Sequence, residues 1–413
     1  MKTTTIKHFL LAGSVCCVAN ATFTACQSDD RYTLEQIQHM AGTGNTGSAG
    51  HTSGDSIDID SIAASSDTIH IVWKGTTATV ADYSNERVSI AVSGADVTVT
   101  STDTAAVVYR LSGSSADGQL LIYSQHKLEL ILDNLSLTNT DGPAINNQCG
   151  KSLFVTCPAG TVSTLTDGTT YADAYLGTEL IDQKATLFSE GQILFRGDGT
   201  LNVNANAKNA IASDDYIVMS SGASITVNAT TAATGSNGLK MNDGMFVYGG
   251  TLNINVAADG AKGIKCDSTF TMTAGTVSVT TTGTSVIETD ATTGLRDTSS
   301  CAGIKVDRQL TLSGGTLTLN STGEGGKGIN AERDIVMTGG TLTAICTGDK
   351  DISNPKAVKT DTYIYLSGGS FTAQSNNGRA TDCATADRYP TIDTTAGQPT
   401  TLTTTKHSVV VSW

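Results

Sequence analysis

Proline, aromatic residues and familiar catalytic motifs are scarce in this 413-residue chain. It has only five prolines, and Phe, Trp and Tyr together make up 5% of its residues, which favours a thin aliphatic core over a thick globular one. No GxSxG, HExxH, P-loop or EF-hand pattern occurs, so nothing supports the enzyme and binding classes that depend on those motifs. CxxC is absent and the six histidines are scattered, which argues against a zinc site.

Positive charge is also in short supply. The chain has 25 Lys and Arg against 39 Asp and Glu, a formal net charge of −14. This balance argues against nucleic acid and anionic membrane surfaces as partners. The apolar run at residues 9–19 is too short to span a bilayer, and no other stretch is apolar enough to do so.

What the chain does have is an internal repeat, which has to be considered before any single motif. The reference copy is residues 301–320, CAGIKVDRQLTLSGGTLTLN. Further copies are residues 261–280 (AKGIKCDSTFTMTAGTVSVT), 326–344 (GKGINAERDIVMTGGTLTA) and 356–373 (KAVKTDTYIYLSGGSFTA), with looser ones at 208–228 and 236–255.

Each copy predicts three short strands. Ile304 and Val306 alternate with charged residues, so a strand would place the apolar pair on one face. Two more alternating runs follow at residues 310–312 and 316–319, separated by Ser-Gly-Gly at 313–315. Glycine at this point indicates a corner, because it adopts positive φ without steric cost.

The spacing of the repeats predicts the fold class. The anchors Ile211, Leu239, Ile264, Ile304, Ile329 and Val358 are 28, 25, 40, 25 and 29 residues apart. A period near 25 with three strands indicates an all-β, right-handed parallel β-helix, a solenoid with three short strands per coil and capped ends. The alternatives for the same pattern are a β-sandwich or a β-propeller. The interval of 40 residues is interpreted as one coil with an inserted loop at 281–300.

The chain before the repeats resembles a bacterial lipoprotein leader. Residues 1–25 form the predicted signal peptide, and Cys26 is the predicted site of lipidation; Cys16 is a weaker second candidate, and ordinary secretion is the alternative. Acidic residues after Cys26 resemble a surface-export signal, which predicts an exported, surface-exposed outer-membrane lipoprotein that touches the membrane only through its lipid. Residues 26–55 are predicted to be a flexible tether. Their GxGxxG at 42–47 lacks the flanking strand and helix of a dinucleotide site, so we interpret it as linker.

The remaining domain boundaries follow from the repeat. Residues 56–130 are predicted to be an N-terminal β cap with the first coils, residues 131–380 the parallel β-helix, and residues 381–413 the C-terminal cap. Caps are expected because open ends would expose sheet edges. The mature chain keeps six further cysteines, whose pairing the sequence leaves open: Cys149, Cys157, Cys266, Cys301, Cys346 and Cys383. Cys266 falls at an inward position of its repeat and is expected to be a core residue.

Three stretches carry a resemblance to a known family. They are residues 130–145 (LILDNLSLTNTDGPAI), the Leu-Thr-Asp-Gly at 165–168 and residues 185–203 (ATLFSEGQILFRGDGTLNV), followed by the GIK-x-D repeats. Over roughly residues 60–380 the chain resembles the carbohydrate-binding domain-containing proteins, right-handed parallel β-helices related in shape to pectate lyases. The resemblance implies a polysaccharide ligand, either acidic pectic chains or cellulose, and bound calcium.

Aligning the repeats predicts rows of charge on one outer face. Neighbouring strands lie ~4.8 Å apart, so lysines at matching positions should form parallel rows beside a row of carboxylates. Ala212 and Asn330 interrupt the row immediately after the anchors. The candidate ligand-binding residues are Lys240, Lys262, Lys265, Lys305, Lys327, Lys356 and Lys359. The candidate calcium ligands are Asp259, Asp267, Asp290, Asp307 and Glu324.

Three functions fit this pattern. The first is a monomeric cell-surface lipoprotein that binds polysaccharide along the charged face, with calcium. The second is a calcium-dependent polysaccharide lyase acting on polyuronate, with Lys265 or Lys305 as the base; the neighbouring aspartates would raise the lysine pKa, which argues against it. The third is an adhesin or structural stalk, in which the lysine and carboxylate rows only neutralise each other.

Overall fold

The computed structural model of the protein describes residues 68–81, 83–289, 292–395 and 397–413. The predicted signal peptide, Cys26, the tether and the first part of the predicted N-terminal cap lie outside the described residues, as does Asp290. Within the described ranges the chain forms strands joined by turns. No helix in these ranges is long and apolar enough to cross a membrane.

The strands are short in most of the chain and follow one another at close intervals. In chain order they are β1 (Ile69–Lys74), β2 (Thr77–Val80), β3 (Val88–Ser93), β4 (Asp96–Ser101), β5 (Val107–Ser115), β6 (Leu120–Ser124), β7 (Leu128–Thr138), β8 (Ile145–Asn147), β9 (Leu153–Thr156), β10 (Val162–Thr166), β11 (Tyr175–Leu176), β12 (Glu179–Leu180), β13 (Ala185–Ser189), β14 (Ile193–Arg196), β15 (Thr200–Asn204), β16 (Asn209–Ser213), β17 (Ile217–Met219), β18 (Ser224–Ala229), β19 (Leu239–Met241), β20 (Met245–Val256), β21 (Lys262–Cys266), β22 (Phe270–Thr281), β23 (Val286–Thr289), β24 (Arg296–Ser299), β25 (Ala302–Val306), β26 (Leu310–Leu312), β27 (Thr316–Ser321), β28 (Lys327–Ala331), β29 (Ile335–Met337), β30 (Thr341–Cys346), β31 (Lys356–Thr360), β32 (Ile364–Leu366), β33 (Ser370–Ser375), β34 (Arg379–Asp382), β35 (Thr391–Ile392), β36 (Thr401–Thr404) and β37 (Ser408–Ser412).

One sheet carries the strands that begin each repeat. Among the described residues it has 12 strands in the order β3-β4-β6-β8-β13-β16-β19-β21-β25-β28-β31-β34. The first pair is antiparallel and the later neighbours are parallel. From β6 to β31, each strand therefore lies beside the equivalent strand of the next repeat.

The second and third strands of the repeats belong to a 21-stranded sheet. Eight of its strands pair in a closed parallel cycle, β7-β9-β14-β17-β20-β18-β15-β10, and β10 returns to β7. The larger sheet thus contains a closed eight-stranded parallel β-barrel with additional strands, and its last strand, β37, pairs antiparallel with β33 and β36.

The prediction of a right-handed parallel β-helix with three short strands per coil is therefore wrong, although the all-β class is correct. The cycle closes because β7 and β20 are long strands that each pair with two strands of the cycle, and β20 continues through a point where a corner was expected. β20 passes Gly249 and Gly250 with a local shift of register, pairing with β17 before them and with β18 after them. A glycine pair can lie in a bulge inside one strand as well as at a corner.

The alternating residues of the repeat point inward as predicted. Ile304, Val306, Leu310 and Leu312 are completely buried in one continuous core. Cys266 is also completely buried, and the six described cysteines are all free thiols. Burial of these side chains fixes the register between neighbouring strands, and therefore also fixes which residues lie side by side on the outer face.

Two antiparallel hairpins interrupt the repeats. β11 pairs with β12 before the strand β13, and β23 pairs with β24 before the strand β25. The second hairpin comes from the inserted loop that the sequence places at residues 281–300. Its strands join Glu288 to Asp297 and Val286 to Ser299.

Candidate functional site

The 12-stranded sheet aligns the predicted lysines in two rows. In the first row Lys262, Ala302, Lys327 and Lys356 are neighbours in successive strands. In the second row the neighbours are Lys240, Lys265, Lys305, Asn330 and Lys359. The predicted register is correct for all seven lysines.

Lysines of the second row are paired with carboxylates. Lys305 lies 2.8 Å from Glu332 and also contacts Asp307. Burial alone would lower the pKa of Lys305, but its hydrogen bonds to Asp307 and Glu332 outweigh burial and raise that pKa above its ordinary value. The same neutralisation recurs along the row: Lys240 to Asp267 at 3.5 Å, Lys265 to Asp267 at 3.4 Å and Lys359 to Asp361 at 2.5 Å.

Two lysines of the first row have different surroundings. Lys262 Nζ donates to Gly260 O at 2.6 Å and to Ser299 Oγ at 2.9 Å. Lys327 is 6% exposed and its Nζ donates to Ser300 Oγ. Among the described residues no carboxylate lies within ion-pair distance of either ammonium group. Lys327 is therefore a buried cation and Lys262 a half-buried one, and the ammonium groups of both are held by neutral partners.

Burial changes the acidity of both groups. It is the main reason that the pKa of Lys262 is lowered, with Lys265 adding repulsion. It also lowers the pKa of Lys327 to about 8, with Lys356 and Lys359 as further causes. Burial disfavours the charged form of a lysine, and nearby cations do the same.

The second hairpin divides this face into two grooves. The upstream groove has a volume of about 540 Å³ and lies on the side of Glu288 and Ser299. Its lysines are Lys184, Lys208, Lys240, Lys262 and Lys265. The downstream groove has a volume of about 460 Å³ and lies on the side of Asp297, Thr298 and Ser300. Its lysines are Lys305, Lys327, Lys356 and Lys359.

The four predicted calcium ligands that lie in the described residues have other partners there. Asp267 and Asp307 face lysine ammonium groups, which compete with a divalent cation for the same oxygens. Asp259 Oδ1 accepts the backbone N–H of Thr284 at 2.7 Å, and Glu324 accepts that of Ile352. These carboxylates therefore support loops and lysines, and calcium stays a prediction.

A carboxylate group that the sequence did not single out lies at the edge of the upstream groove. Within the described residues, oxygens of Asp182, Glu190 and Asp214 lie within 4.8 Å of one another. Lys184 Nζ lies 2.7 Å from Asp182 and 2.5 Å from Asp214, so one ammonium group already offsets part of the negative charge of the cluster. Burial, followed by repulsion from Asp214, raises the pKa of Glu190 to about 7.

Sequence reasoning also missed Ser299 and Ser300. Both lie in the insertion, which has no periodic pattern and no counterpart in other repeats. One sequence feature could have indicated them: Ser299-Ser300 immediately precedes the repeat that starts at residue 301, where the inserted loop must return to the outer face of the 12-stranded sheet.

Comparison with known proteins adds the family. The model of the carbohydrate-binding domain-containing protein family matches residues 93–269 and 247–351. These matches span more than half of the chain and include both rows as far as Asn330. The chain belongs to the carbohydrate-binding domain-containing family.

Two similar proteins were found. A carbohydrate-binding domain-containing protein of Acetivibrio thermocellus is 32% identical over 126 residues, which cover 30% of this chain and 42% of the relative. The aligned stretch thus spans less than half of that relative. A solved structure of a polysaccharide lyase-like protein from C. thermocellum, a gadolinium derivative, aligns with a TM-score of 0.50 and 22% identity, covering 65% of this chain and 96% of the other. That likeness shows similarity of fold alone.

Proposed function

We propose that this protein binds acidic polysaccharide on the outer face of the 12-stranded sheet. The observation that carries the proposal is a cluster of lysines on a chain whose net charge is −14, in which Lys208 and Lys262 donate only to neutral partners among the described residues. The upstream groove is lined by five lysines and by Glu288 as its carboxylate. Such a concentration of cations attracts a polymer with regularly spaced carboxylates.

The size and position of the grooves support a carbohydrate ligand. Both volumes fall within the ~300–1,000 Å³ typical of small-ligand sites. Asn209 and Asn237 line the upstream groove and Asn330 and Asn354 the downstream groove, and their amides can both donate to and accept from sugar hydroxyls. Acidic pectic chains therefore fit better than cellulose-like glycans, which offer no carboxylate to the lysines.

The proposal is tested by electrophoresis of residues 27–413 through gels that contain polygalacturonate, with cellulose-derived neutral glycan as the control. Retardation by polygalacturonate alone supports acidic-polysaccharide binding. Equal mobility in all gels contradicts it and leaves a structural stalk as the alternative. Repeating the run with calcium and with EDTA tests the predicted role of calcium; unchanged retardation would contradict that prediction.

Ultraviolet absorbance of the same mixtures distinguishes a polysaccharide lyase from a binding protein, because β-elimination of a uronate creates an unsaturated product that absorbs ultraviolet light. The pKa of Lys305 is raised, so this residue is poorly suited to take up a proton as a catalytic base. We expect binding without any increase of absorbance.

The cellular location is part of the same proposal. We propose an exported outer-membrane lipoprotein, acylated at Cys26 and exposed at the cell surface, with residues 26–55 as its tether. Metabolic labelling with a radioactive fatty acid tests the anchor, with Cys26→Ala as the matched variant. Labelling that persists in Cys26→Ala would contradict acylation at this position.

A further inference from the structure

The two grooves lie on opposite sides of the β23–β24 hairpin, which forms the wall between them, and the two sides are built in the same way. β24 ends at Ser299, and Ser300 follows it directly. Successive side chains of an extended segment point to opposite sides. Ser299 therefore contacts Lys262 in the upstream groove, while Ser300 contacts Lys327 in the downstream groove.

Each groove thus contains one lysine without a carboxylate partner among the described residues, half-buried at Lys262 and buried at Lys327, with one hairpin hydroxyl next to it. A buried ammonium group without a carboxylate partner is costly, since neutral hydrogen bonds replace only part of its hydration. A ligand carboxylate placed beside Lys262 or Lys327 would supply the missing countercharge. The adjacent serine hydroxyl can turn to donate to the same carboxylate.

The wall between the grooves affects how a polymer can bind. Lys262 and Lys327 are separated by one strand, that of Ala302, which corresponds to roughly 10 Å at the usual strand spacing. Glu288 and Asp297 are cross-strand neighbours in the hairpin, and they line different grooves. A chain lying straight along the rows would have to cross this acidic wall.

We propose that the hairpin creates two separate carboxylate-binding subsites, one centred on Lys262 and Ser299 and the other on Lys327 and Ser300. Each takes a short segment of uronate polysaccharide, so one protein molecule engages two segments. This inference rests on the proposed function and deepens it, because it identifies the positions that hold the acidic groups and the number of segments bound. A bivalent protein would also cross-link polysaccharide chains.

The test is calorimetric titration of the chain with a galacturonic acid trimer, which is short enough to occupy one groove. The expected stoichiometry is two trimers per protein molecule. Lys262→Met and Lys327→Met should each reduce it to one, and the double variant should bind none. Lys74→Met, which changes an exposed lysine of β1 outside both grooves, is the matched control and should still bind two.

Serine variants identify the grooves without removing a charge. Ser299→Ala should weaken the upstream subsite about five- to tenfold and leave the downstream subsite unchanged, and Ser300→Ala should do the reverse. In the single-site background Lys327→Met, only Ser299→Ala should still have an effect. Circular dichroism and thermal unfolding of each variant verify that it is folded.

Different failures have different meanings. One trimer per wild-type molecule, or an equal effect of both serine variants on one site, overturns the two-subsite inference. Retardation by polygalacturonate without any trimer binding also overturns it, while leaving the proposed function standing. Absence of binding to both trimer and polymer contradicts the proposed function itself.

Discussion

Lys327 lies directly opposite Lys356 in neighbouring parallel strands. On its other side the neighbour is Ala302. Lys356 contacts Asp382, whereas Lys327 is buried against the hydroxyl of Ser300. Burial, and then the like charges of Lys356 and Lys359, lowers the pKa of Lys327 to about 8. The sheet therefore holds a cation in a place that makes the folded state less stable.

Replacing Lys327 with Met should stabilise the protein at neutral pH. Below about pH 8 the folded protein holds an unfavourable charge at Lys327, while the unfolded chain keeps an ordinary lysine. Between about 8 and 10.5 the unfolded chain binds more protons, so this group makes the free energy of unfolding rise with pH. We expect a gain of about 1–3 kcal/mol for Lys327→Met at pH 7, which shrinks as pH rises.

Denaturant unfolding at pH 6.5 and pH 9.5 measures this effect. Lys305→Met is the matched variant, because it removes a lysine whose carboxylate partners raise its pKa; it should destabilise the protein or have little effect. A loss of stability in Lys327→Met at both pH values would contradict the assignment of Lys327 as an uncompensated buried cation.

Polysaccharide binding should have the opposite pH dependence. As pH rises through about 8, Lys327 loses its proton, and the downstream groove loses one positive charge. Retardation by polygalacturonate should therefore weaken between pH 7 and 9. Lys327→Met should be weaker at pH 7 and lack this step, whereas Lys305→Met should keep it; a step of equal size in Lys327→Met would assign it to another group.

The periodic parts of the molecule could be predicted from the sequence. Ile264 and Ile304 point inward, and Lys265 and Lys305 are neighbours on the outer face, because strand alternation and a constant repeat fix both facts. These rules do not state where a strand stops. Gly249-Gly250 lies inside β20, while a similar Ser-Gly-Gly separates β26 from β27, and this difference produced the wrong fold class.

The non-periodic parts of the site could not be predicted. Ser299 and Ser300 obtain their roles because the hairpin returns to this face of the sheet. Lys184 obtains one of its two carboxylate partners, Asp214, from a segment 30 residues further along the chain. The aligned carboxylates Asp267 and Asp307 were visible, but their pairing with lysines rather than with calcium depends on side-chain geometry.

The raised pKa of Glu190 leads us to expect a second pH dependence of stability, at the upstream edge of the outer face of the 12-stranded sheet. Burial, followed by repulsion from Asp214, raises the pKa of Glu190 from its ordinary value of 4.5 to about 7. Between these values the folded state binds more protons than the unfolded chain, so this group makes stability fall as pH rises from about 4.5 to 7. Glu190→Gln should raise the melting temperature at pH 7.5 and reduce the difference between pH 5 and pH 7.5. If the difference in melting temperature between pH 5 and pH 7.5 stays unchanged in Glu190→Gln, a group other than Glu190 causes the pH dependence.

Close packing beneath the first row predicts that Gly263→Ala destabilises the fold. An added Cβ would lie 2.1 Å from Val279 Cγ1 and 2.7 Å from the carbonyl oxygen of Gly303. We expect a loss of about 1–3 kcal/mol in denaturant unfolding. In a Val279→Ala background the same change should cost less, because the obstructing methyl group is gone; an equal cost in both backgrounds would show that Val279 is not the cause.

The central claim is that the two grooves carry the affinity for acidic polysaccharide. Its most direct test is equilibrium binding of polygalacturonate to the triple variant Lys240→Gln, Lys265→Gln and Lys359→Gln. The control triple variant is Lys74→Gln, Lys127→Gln and Lys406→Gln, which makes the same change of net charge outside both grooves. We predict at least about tenfold weaker binding for the groove variant and less than about twofold for the control. Equal affinities of the two variants would contradict the account.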